Sequence, residues 1–346
     1  MNHNVAIALS LLMFSFVVTL VLIVPFINFL YKLKFQKKDK EGVNSLGETT
    51  PIYNKFHKNK LGVPIGGGIL IVVVITILFG TSLFMLQQAG LNITSIHKNK
   101  LLEVAVILFT FLSFAFLGLL DDIKKFFPLK NHFGLRMRHK LVLESILGLI
   151  VGLVLYLGLG ISILYIPFVS TVNLSFLYVP FAAFVIVAFA NAVNITDGLD
   201  GLAAGSLMIS LFGLWLLSGS ILDVPLAIFI ALWLGALLAF LYFNIYPARL
   251  FMGDVGSLSF GATFAVIGLL LGKPIALGII GFIFVVEILS SLVQIISKLF
   301  YHKKLFPAAP LHLTFQNLGW AEPKIVQRAW IVQIMLTIFG VWLAIL

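Results

Sequence analysis

Polar residues that could bind a cation or a phosphate are concentrated in three short stretches of an otherwise apolar chain. The longest is NAVNITDGLDGLA at residues 191–203, which holds two Asn, two Asp and two Gly. Its polar residues recur at every third position, Asn191, Asn194, Asp197 and Asp200, and on a helical turn this spacing places them near one face. Carboxylates and amides beside apolar runs need water, a cation or a ligand. A polar turn between two spans is the plainer alternative.

Two further acidic stretches have a similar setting. Residues 118–125 read GLLDDIKK, with Asp121 and Asp122 adjacent, and residues 251–257 read FMGDVGS, with Asp254 close to two Gly. Adjacent carboxylates repel unless a cation lies between them, and a carboxylate in a tight, Gly-flanked loop suits Mg2+. We expect the three stretches, in three loops, to meet on one side of a membrane and form a Mg2+-dependent phosphoryl-transfer site. The alternatives are a polar helix cap and solvated loop carboxylates.

Other polar residues are weaker candidates. Glu287 and Gln294 are seven residues apart in one apolar run, so they share a helical face, where they could serve a site or a hydrogen bond inside the bundle. Lys60 and Lys140 could bind phosphate, although retention of loops in the cytoplasm accounts for basic residues equally well. His312 lies in the last polar segment, where a lone His is more often a surface residue than a catalyst.

The composition defines the class of protein. Of 346 residues, 61% are hydrophobic and 10% are charged, against about 25% charged in a soluble domain. Cys is absent, which excludes disulfides and Cys-ligated metals. Ten apolar runs are long enough to cross a bilayer, and we predict an all-α polytopic membrane protein with a single domain over residues 1–346. The predicted spans are 5–31, 64–86, 101–120, 140–159, 175–193, 203–219, 224–242, 257–272, 275–297 and 326–346.

The basic residues predict the orientation of these spans. Suppose that five loops share one side of the membrane, namely 32–62, 121–140, 194–202, 243–256 and 298–328. All but three of the 23 Lys and Arg residues then lie on that side, the exceptions being Lys98, Lys100 and Lys273. This asymmetry predicts that the large loops are cytoplasmic and that both termini face outside. The three acidic stretches then lie at the cytoplasmic face.

Taken together, these stretches resemble the polyprenyl-phosphate N-acetylhexosamine-1-phosphate transferase family. Four blocks match in order: LGLLDDIKK, NAVNITDGLDGLAAG, FMGDVGSLSFGA and PLHLTFQNLGWAEPKIVQRAWIV. The apolar segment VVEILSSLVQ is also similar, so the resemblance covers nearly the whole chain. It implies ten spans with both ends outside, in the bacterial plasma membrane, and an active site at the cytoplasmic face.

The resemblance implies a specific reaction. The phosphate of undecaprenyl phosphate attacks the β-phosphorus of a UDP-linked amino sugar, UMP leaves, and a lipid-linked sugar pyrophosphate remains. The block GWAEPKIVQRAW favours UDP-N-acetylmuramoyl-pentapeptide as the donor, so the implied product is lipid I of peptidoglycan synthesis. One pyrophosphate replaces another, and the protein has mainly to align the reactants and offset their charge.

The resemblance also implies roles for individual residues. Asp254 is the implied Mg2+ ligand. Catalytic roles are implied, with Asp121 a candidate base, for Asp121, Asp122, Asp197, Asp200 and His312. Substrate-binding roles are implied, with Phe251 stacking on uracil, for Lys60, Lys140, Asn194, Phe251 and Gln294. The implied partners are UDP-N-acetylmuramoyl-pentapeptide, undecaprenyl phosphate, membrane lipid and a second copy of the chain in a homodimer, with no nucleic acid.

Two departures from the family pattern leave the donor open. Members that use the muramoyl-pentapeptide donor usually carry three consecutive His where this chain has His312-Leu313-Thr314, and GTPTMGG where it has GVPIGGG at residues 62–68. A related transferase for N-acetylglucosamine-1-phosphate or another UDP-amino sugar is therefore the alternative. From another class, an ion-coupled transporter or flippase predicts mid-membrane ionisable groups and internal repeats. Glu287 alone fits that pattern strongly.

Overall fold

In the computed structural model of the protein, which describes residues 2–36, 60–91, 93–126 and 135–346, nearly every element is an α-helix. The first six helices are α1 (Asn2–Lys32), α2 (Gly67–Gln88), α3 (Lys100–Phe126), α4 (Met137–Leu153), α5 (Tyr178–Thr196) and α6 (Leu202–Ser220). The remaining six are α7 (Val224–Asn244), α8 (Asp254–Leu270), α9 (Pro274–Ile280), α10 (Phe282–Tyr301), α11 (Leu311–Asn317) and α12 (Glu322–Ile345). A hairpin that the sequence did not predict follows α4, with β1 (Ile163–Ile166) antiparallel to β2 (Ser170–Asn173).

Ten helical segments of the described chain are long and apolar enough to cross a membrane, which confirms the predicted number of spans. The chain is a multi-pass membrane protein. Helices α7 and α8 form the centre of the bundle. In the most apolar 18-residue segment of each, 83% and 89% of the residues are buried, compared with 22% for α1. Helix α1 packs along α7, α12 packs against α6, and α3 and α5 both pack against α8. The ends of α3, α5 and α8 are thereby held together.

Large aromatic side chains fill the space between these central helices. Phe111 of α3 stacks on Phe260 of α8 with ring centroids 6.0 Å apart. Trp233 of α7 lies 5.9 Å from Phe111 and 5.3 Å from Phe260, and Phe229 packs edge-on against Phe111. These side chains are fully buried, and aromatic pairs of this kind each contribute about 0.5–1.5 kcal/mol beyond their buried area. The packing fixes α3 against α8 in one register.

Most helix ends differ from the predicted spans by a few residues, and three differences are larger or affect the site. Helix α3 continues beyond residue 120, so Asp121 and Asp122 lie on a helix instead of in a loop. Helix α8 begins at Asp254 instead of residue 257. The predicted ninth span is divided at Gly281 into α9 and α10. The expectation that three loops carry the three acidic stretches was therefore wrong: helix ends supply two of them.

Candidate active site

Three aspartates from two helices converge with two lysines at one end of the bundle. Asp121 and Asp122 lie near the end of α3, and Asp254 is the first residue of α8. Lys125 Nζ is 2.8 Å from Asp254 Oδ2 and 3.2 Å from Asp121 Oδ2. Lys140 Nζ, from α4, contacts the same two oxygens at 2.8 and 3.3 Å. One oxygen of Asp254 thus bonds both ammonium groups, and three helices meet there.

The close approach of α3 to α8 depends on Gly118. A Cβ at Gly118 would lie 2.2 Å from the Asp254 carbonyl oxygen, so any side chain there would push the two helices apart. Asp122 Oδ2 accepts a hydrogen bond of 3.2 Å from the backbone N–H of Val255, which is one of the amides that the first turn of α8 leaves unpaired. The carboxylates of α3 are therefore held beside a helix N-terminus, where the helix dipole favours negative charge.

Lys60 lies in a second, buried ion network. Its Nζ is 2.6 Å from Asp200 Oδ1 and 2.6 Å from Glu322 Oε1. Glu322 Oε1 also accepts a hydrogen bond of 2.5 Å from the backbone N–H of Asp200, and Asp200 Oδ2 accepts one of 2.9 Å from Ala248 N–H. The ammonium group thus joins the first polar segment, the loop after α5 and the start of α12. Glu322 was not among the predicted site residues.

The segment GVPIGGG is the immediate neighbour of Phe251. Phe251 N–H donates a hydrogen bond of 2.9 Å to the Pro64 carbonyl, and Gly67 N–H donates one of 2.8 Å to the Phe251 carbonyl. Lys60 Nζ is 6.0 Å from the centroid of the Phe251 ring. Two stretches singled out separately in the sequence therefore form one strand-like pairing, which fixes the backbone of Phe251, three residues before Asp254.

The regularly spaced polar residues of α5 have separate partners. Asn194 Nδ2 donates a hydrogen bond of 2.7 Å to Ser257 Oγ of α8. Asn191 Nδ2 donates one of 2.5 Å to Glu144 Oε2 of α4. The helix ends before Asp197, which is half-buried and caps it, so the last two positions of the pattern lie beyond the helix. The expectation that all four share a helical face holds only for the two Asn.

His312 is buried and joined to Glu287. Its Nδ1 is 3.0 Å from Glu287 Oε2, and its backbone N–H donates a hydrogen bond of 3.2 Å to Glu287 Oε1. The opposite edge of the ring faces the loop after α5, because a Cβ at Gly198 would lie 2.6 Å from His312 Nε2. Glu287 thus orients an imidazole toward the residue next to Asp197. The expectation that a lone His here is a surface residue was wrong.

Gln294 organises the segment before α11. Its Oε1 accepts hydrogen bonds of 3.0 Å from Leu305 N–H and 2.9 Å from Phe306 N–H, and its Nε2 donates one of 2.9 Å to the Phe306 carbonyl. The loop residues are thereby fixed on α10, one turn of helix away from Ser290, whose Oγ accepts a hydrogen bond of 3.0 Å from Leu311 N–H. The Glu287–Gln294 face therefore holds α11, and with it His312.

These contacts define a polytopic membrane protein whose charged site is assembled at one end of the bundle from helix termini and the loops between them. A family model described as "Glycosyl transferase family 4" matches residues 104–272, which run from α3 to the end of α8. This match contains the Asp121–Asp122 pair, the stretch at residues 191–203 and Asp254. The class is thus that of membrane-embedded glycosyl transferases of this family.

Relatives with a more specific name cover almost the whole chain. The phospho-N-acetylmuramoyl-pentapeptide-transferase of Clostridium perfringens (strain SM101 / Type A) is 37% identical over 90% of this chain and 89% of its own length. Those of Leuconostoc citreum (strain KM20) and Geobacillus sp. (strain WCH70) are 34% and 35% identical over 95% and 96% of this chain, and 96% of their own lengths. The chain belongs to the phospho-N-acetylmuramoyl-pentapeptide-transferase family.

Proposed function

We propose that this protein transfers phospho-N-acetylmuramoyl-pentapeptide from its UDP-linked donor to undecaprenyl phosphate, with release of UMP and formation of lipid I. The observation that carries the proposal is the convergence of Asp121, Asp122 and Asp254 with Lys125 and Lys140, in a chain that aligns over 95% of its length with a transferase of that name. An ion-coupled transporter is disfavoured, because these charges gather at helix ends and not in mid-span.

The residues of this cluster fit a Mg2+ ion. Three carboxylates supply the hard oxygen ligands that Mg2+ prefers, and Asp254, 14% exposed, is the most accessible of the three. Asp121 and Asp122 lie beside it and would complete the protein's share of the ligands. When bound, Mg2+ would offset the charge of the donor pyrophosphate. The three aspartates and two lysines carry a net formal charge of −1, so a bound divalent ion would make the site positive and attract the anionic phosphates.

The proposed reaction needs little covalent chemistry from the protein itself. An oxygen of the carrier phosphate bonds to the β-phosphorus of the donor, the bond from that phosphorus to the UMP oxygen breaks, and UMP leaves with its electron pair. Lys125 and Lys140 are placed to bind the phosphate oxygens and hold the two reactants in line. A phosphate monoester has a second pKa of about 6, so the carrier needs little help from Asp121 as a base.

The second ion network supports the nucleotide part of the site. Phe251 offers a ring for uracil, and its backbone is fixed by the strand-like pairing beside Asp254. Asp200 and Lys60 have their charged atoms bonded to each other and to Glu322, so we assign them to positioning the loop after α5. We assign His312, beside Gly198, and Asn194, beside Ser257, to contacts with the donor.

The proposed orientation rests on the distribution of Lys and Arg. With all but three of the 23 basic residues on the side of the acidic cluster, the cluster faces the cytoplasm, where UDP-linked donors are made. The exposed apolar surfaces of α1 and α12 would face membrane lipid.

The test is release of UMP by the purified protein, with Mg2+, undecaprenyl phosphate and a panel of UDP-sugars. We expect UMP from UDP-N-acetylmuramoyl-pentapeptide, loss of activity with EDTA and recovery with Mg2+. Release from UDP-N-acetylglucosamine alone would move the protein to the related transferases, and no UMP from any donor would refute the proposal. Asp254→Asn should abolish turnover while the protein is still expressed and folded.

A further inference from the structure

A second cluster of ionisable side chains lies at the opposite end of α3 from the acidic cluster. It consists of His97, in the loop before α3, Glu103, in the first turns of α3, and Asp223, between α6 and α7. Eighteen residues separate Glu103 from Asp121, and at about 1.5 Å per residue they are about 27 Å apart along the helix. The proposed reaction uses none of the three residues.

The two carboxylates of this cluster are buried. Glu103 is 0% and Asp223 1% exposed, and one potential ligand atom from each of the three residues lies within 4.8 Å of the others. Within the described part of the chain, Glu103 Oε1, Asp223 Oδ2 and His97 Nε2 are buried and have no hydrogen-bond donor when both carboxylates are ionised, and the two carboxylates are close enough to share a proton. An unpaired buried carboxylate oxygen costs several kcal/mol of free energy, so a group that binds all three atoms would stabilise the fold.

The second oxygen of each carboxylate accepts a hydrogen bond, which fixes the orientation of the carboxylate group. Ser95 Oγ donates a hydrogen bond of 2.5 Å to Glu103 Oε2, and Leu226 N–H donates one of 3.2 Å to Asp223 Oδ1 as α7 begins. The two loops are also tied together, because Thr94 Oγ1 donates a hydrogen bond of 2.7 Å to the Leu222 carbonyl. These bonds leave the remaining oxygens directed at one another.

The electrostatics agree with the geometry. Burial raises the pKa of the Asp223 carboxyl, although a hydrogen bond from the Leu226 backbone opposes the shift. Burial also lowers the pKa of His97, against the raising effects of the Asp223 charge and the Leu270 backbone, and so favours the neutral imidazole that binds metals. Two facing carboxylates of this kind require either a shared proton or a cation between them.

We propose that His97, Glu103 and Asp223 bind a divalent transition metal ion, Zn2+, at the membrane face opposite the acidic cluster. Imidazole nitrogen and carboxylate oxygen both bind Zn2+, and three such ligands would leave one tetrahedral position for water, whereas Mg2+ and Ca2+ prefer oxygen alone. The ion would fasten the loop before α3 to the turn between α6 and α7. Its role is structural, since it is remote from the proposed chemistry.

The experiment uses the full-length Asp254→Asn protein, purified in detergent through a tag without histidine, so that the acidic cluster does not compete for the metal. After EDTA treatment and dialysis, ZnCl2 is added and bound zinc is measured together with the thermal unfolding midpoint. We expect about one zinc ion per chain and a raised midpoint that EDTA reverses. Co2+ in place of Zn2+ should give a visible absorption band whose position indicates a nitrogen ligand.

Matched variants separate the site from adventitious binding. His97→Gln and Glu103→Gln should each lose the zinc, the midpoint shift and the Co2+ band, while His302→Asn, which removes an exposed imidazole, should keep all three. Ser95→Ala keeps the ligands but frees Glu103, and we expect roughly 10- to 100-fold weaker binding. A protein that binds no zinc, or binds it unchanged in Glu103→Gln, would overturn the proposal and leave a proton shared by the two carboxylates.

Discussion

Replacing Lys60 by Met should destabilise the protein strongly, because its ammonium group holds two buried carboxylates. The side chains of Asp200 and Glu322 are 4% and 9% exposed, and Lys60 Nζ is 2.6 Å from an oxygen of each. At an effective dielectric constant of about 20, opposite unit charges about 4 Å apart attract by about 4 kcal/mol. Desolvation offsets part of that attraction, but removing one partner of a buried pair costs about 3–5 kcal/mol. We expect Lys60→Met to lose that much free energy of unfolding.

A second substitution separates the effect of charge from the loss of a contact. Lys60→Met leaves the network with two negative charges, whereas Lys60→Met/Asp200→Asn has one, as the native network has. We expect the double variant to regain part of the lost stability, with a coupling free energy of up to about 3 kcal/mol. Lys98→Met removes an exposed ammonium group and should change stability by no more than about 0.5 kcal/mol.

The assay is the free energy of unfolding in mixed detergent micelles, combined with steady-state kinetics of UMP release. A network that positions the loop after α5 predicts lost stability and a lower kcat, both partly restored in the double variant. If Lys60→Met instead keeps the native free energy of unfolding and only raises the KM for the UDP-linked donor, Lys60 is a substrate ligand. The positioning role that we assign to it would then be wrong.

Three further substitutions test how the site is assembled. Gly198→Ala should displace the His312 ring, whose Nε2 would lie 2.6 Å from the new Cβ, and lower kcat by roughly 100-fold with little change in stability. Gly118→Ala should separate α3 from α8 and lower both kcat and the thermal unfolding midpoint. Gly80→Ala, where a Cβ meets nothing within 4 Å, should leave both quantities unchanged and so serves as the control for the two. Glu287→Gln should lower kcat without loss of folding, measured by UMP release and thermal unfolding, and native kcat in this variant would contradict the orienting role of Glu287.

Much of the fold could be predicted because hydropathy alone identifies segments that must be helical in lipid. All ten spans were found in this way, whereas their ends were less accurate. Helix α3 was expected to stop at the first charged residues, but it continues through Asp121 and Asp122 because they face other protein groups, and Lys125 and Val255 bond to them. Polar residues end a span in lipid, and they do not end a helix that packs against protein.

The partners within the site could not be predicted in the same way. Lys60 and Glu322 are 262 residues apart, and no local pattern distinguishes Glu322 from any other acidic residue in the first turn of a helix. The Lys140–Asp254 contact likewise joins residues 114 positions apart. The sequence motifs identified the polar residues that could form a site. The contacts among those residues depend on how α3, α4 and α8 pack, which the motifs do not predict.

The structure of α11 explains the roles of Leu313 and Thr314, which replace the second and third His of the usual pattern. Leu313 is buried, and Thr314 Oγ1 donates a hydrogen bond to the Ala308 carbonyl, so both positions stabilise α11 and the loop before it. His312 alone faces Gly198, and it keeps its contact with Glu287. Replacing the second and third imidazoles therefore alters how α11 is packed and leaves the group nearest the acidic stretch in place. That is why the reaction class survives the altered motif, and why a change in donor preference would have to come from contacts beyond His312.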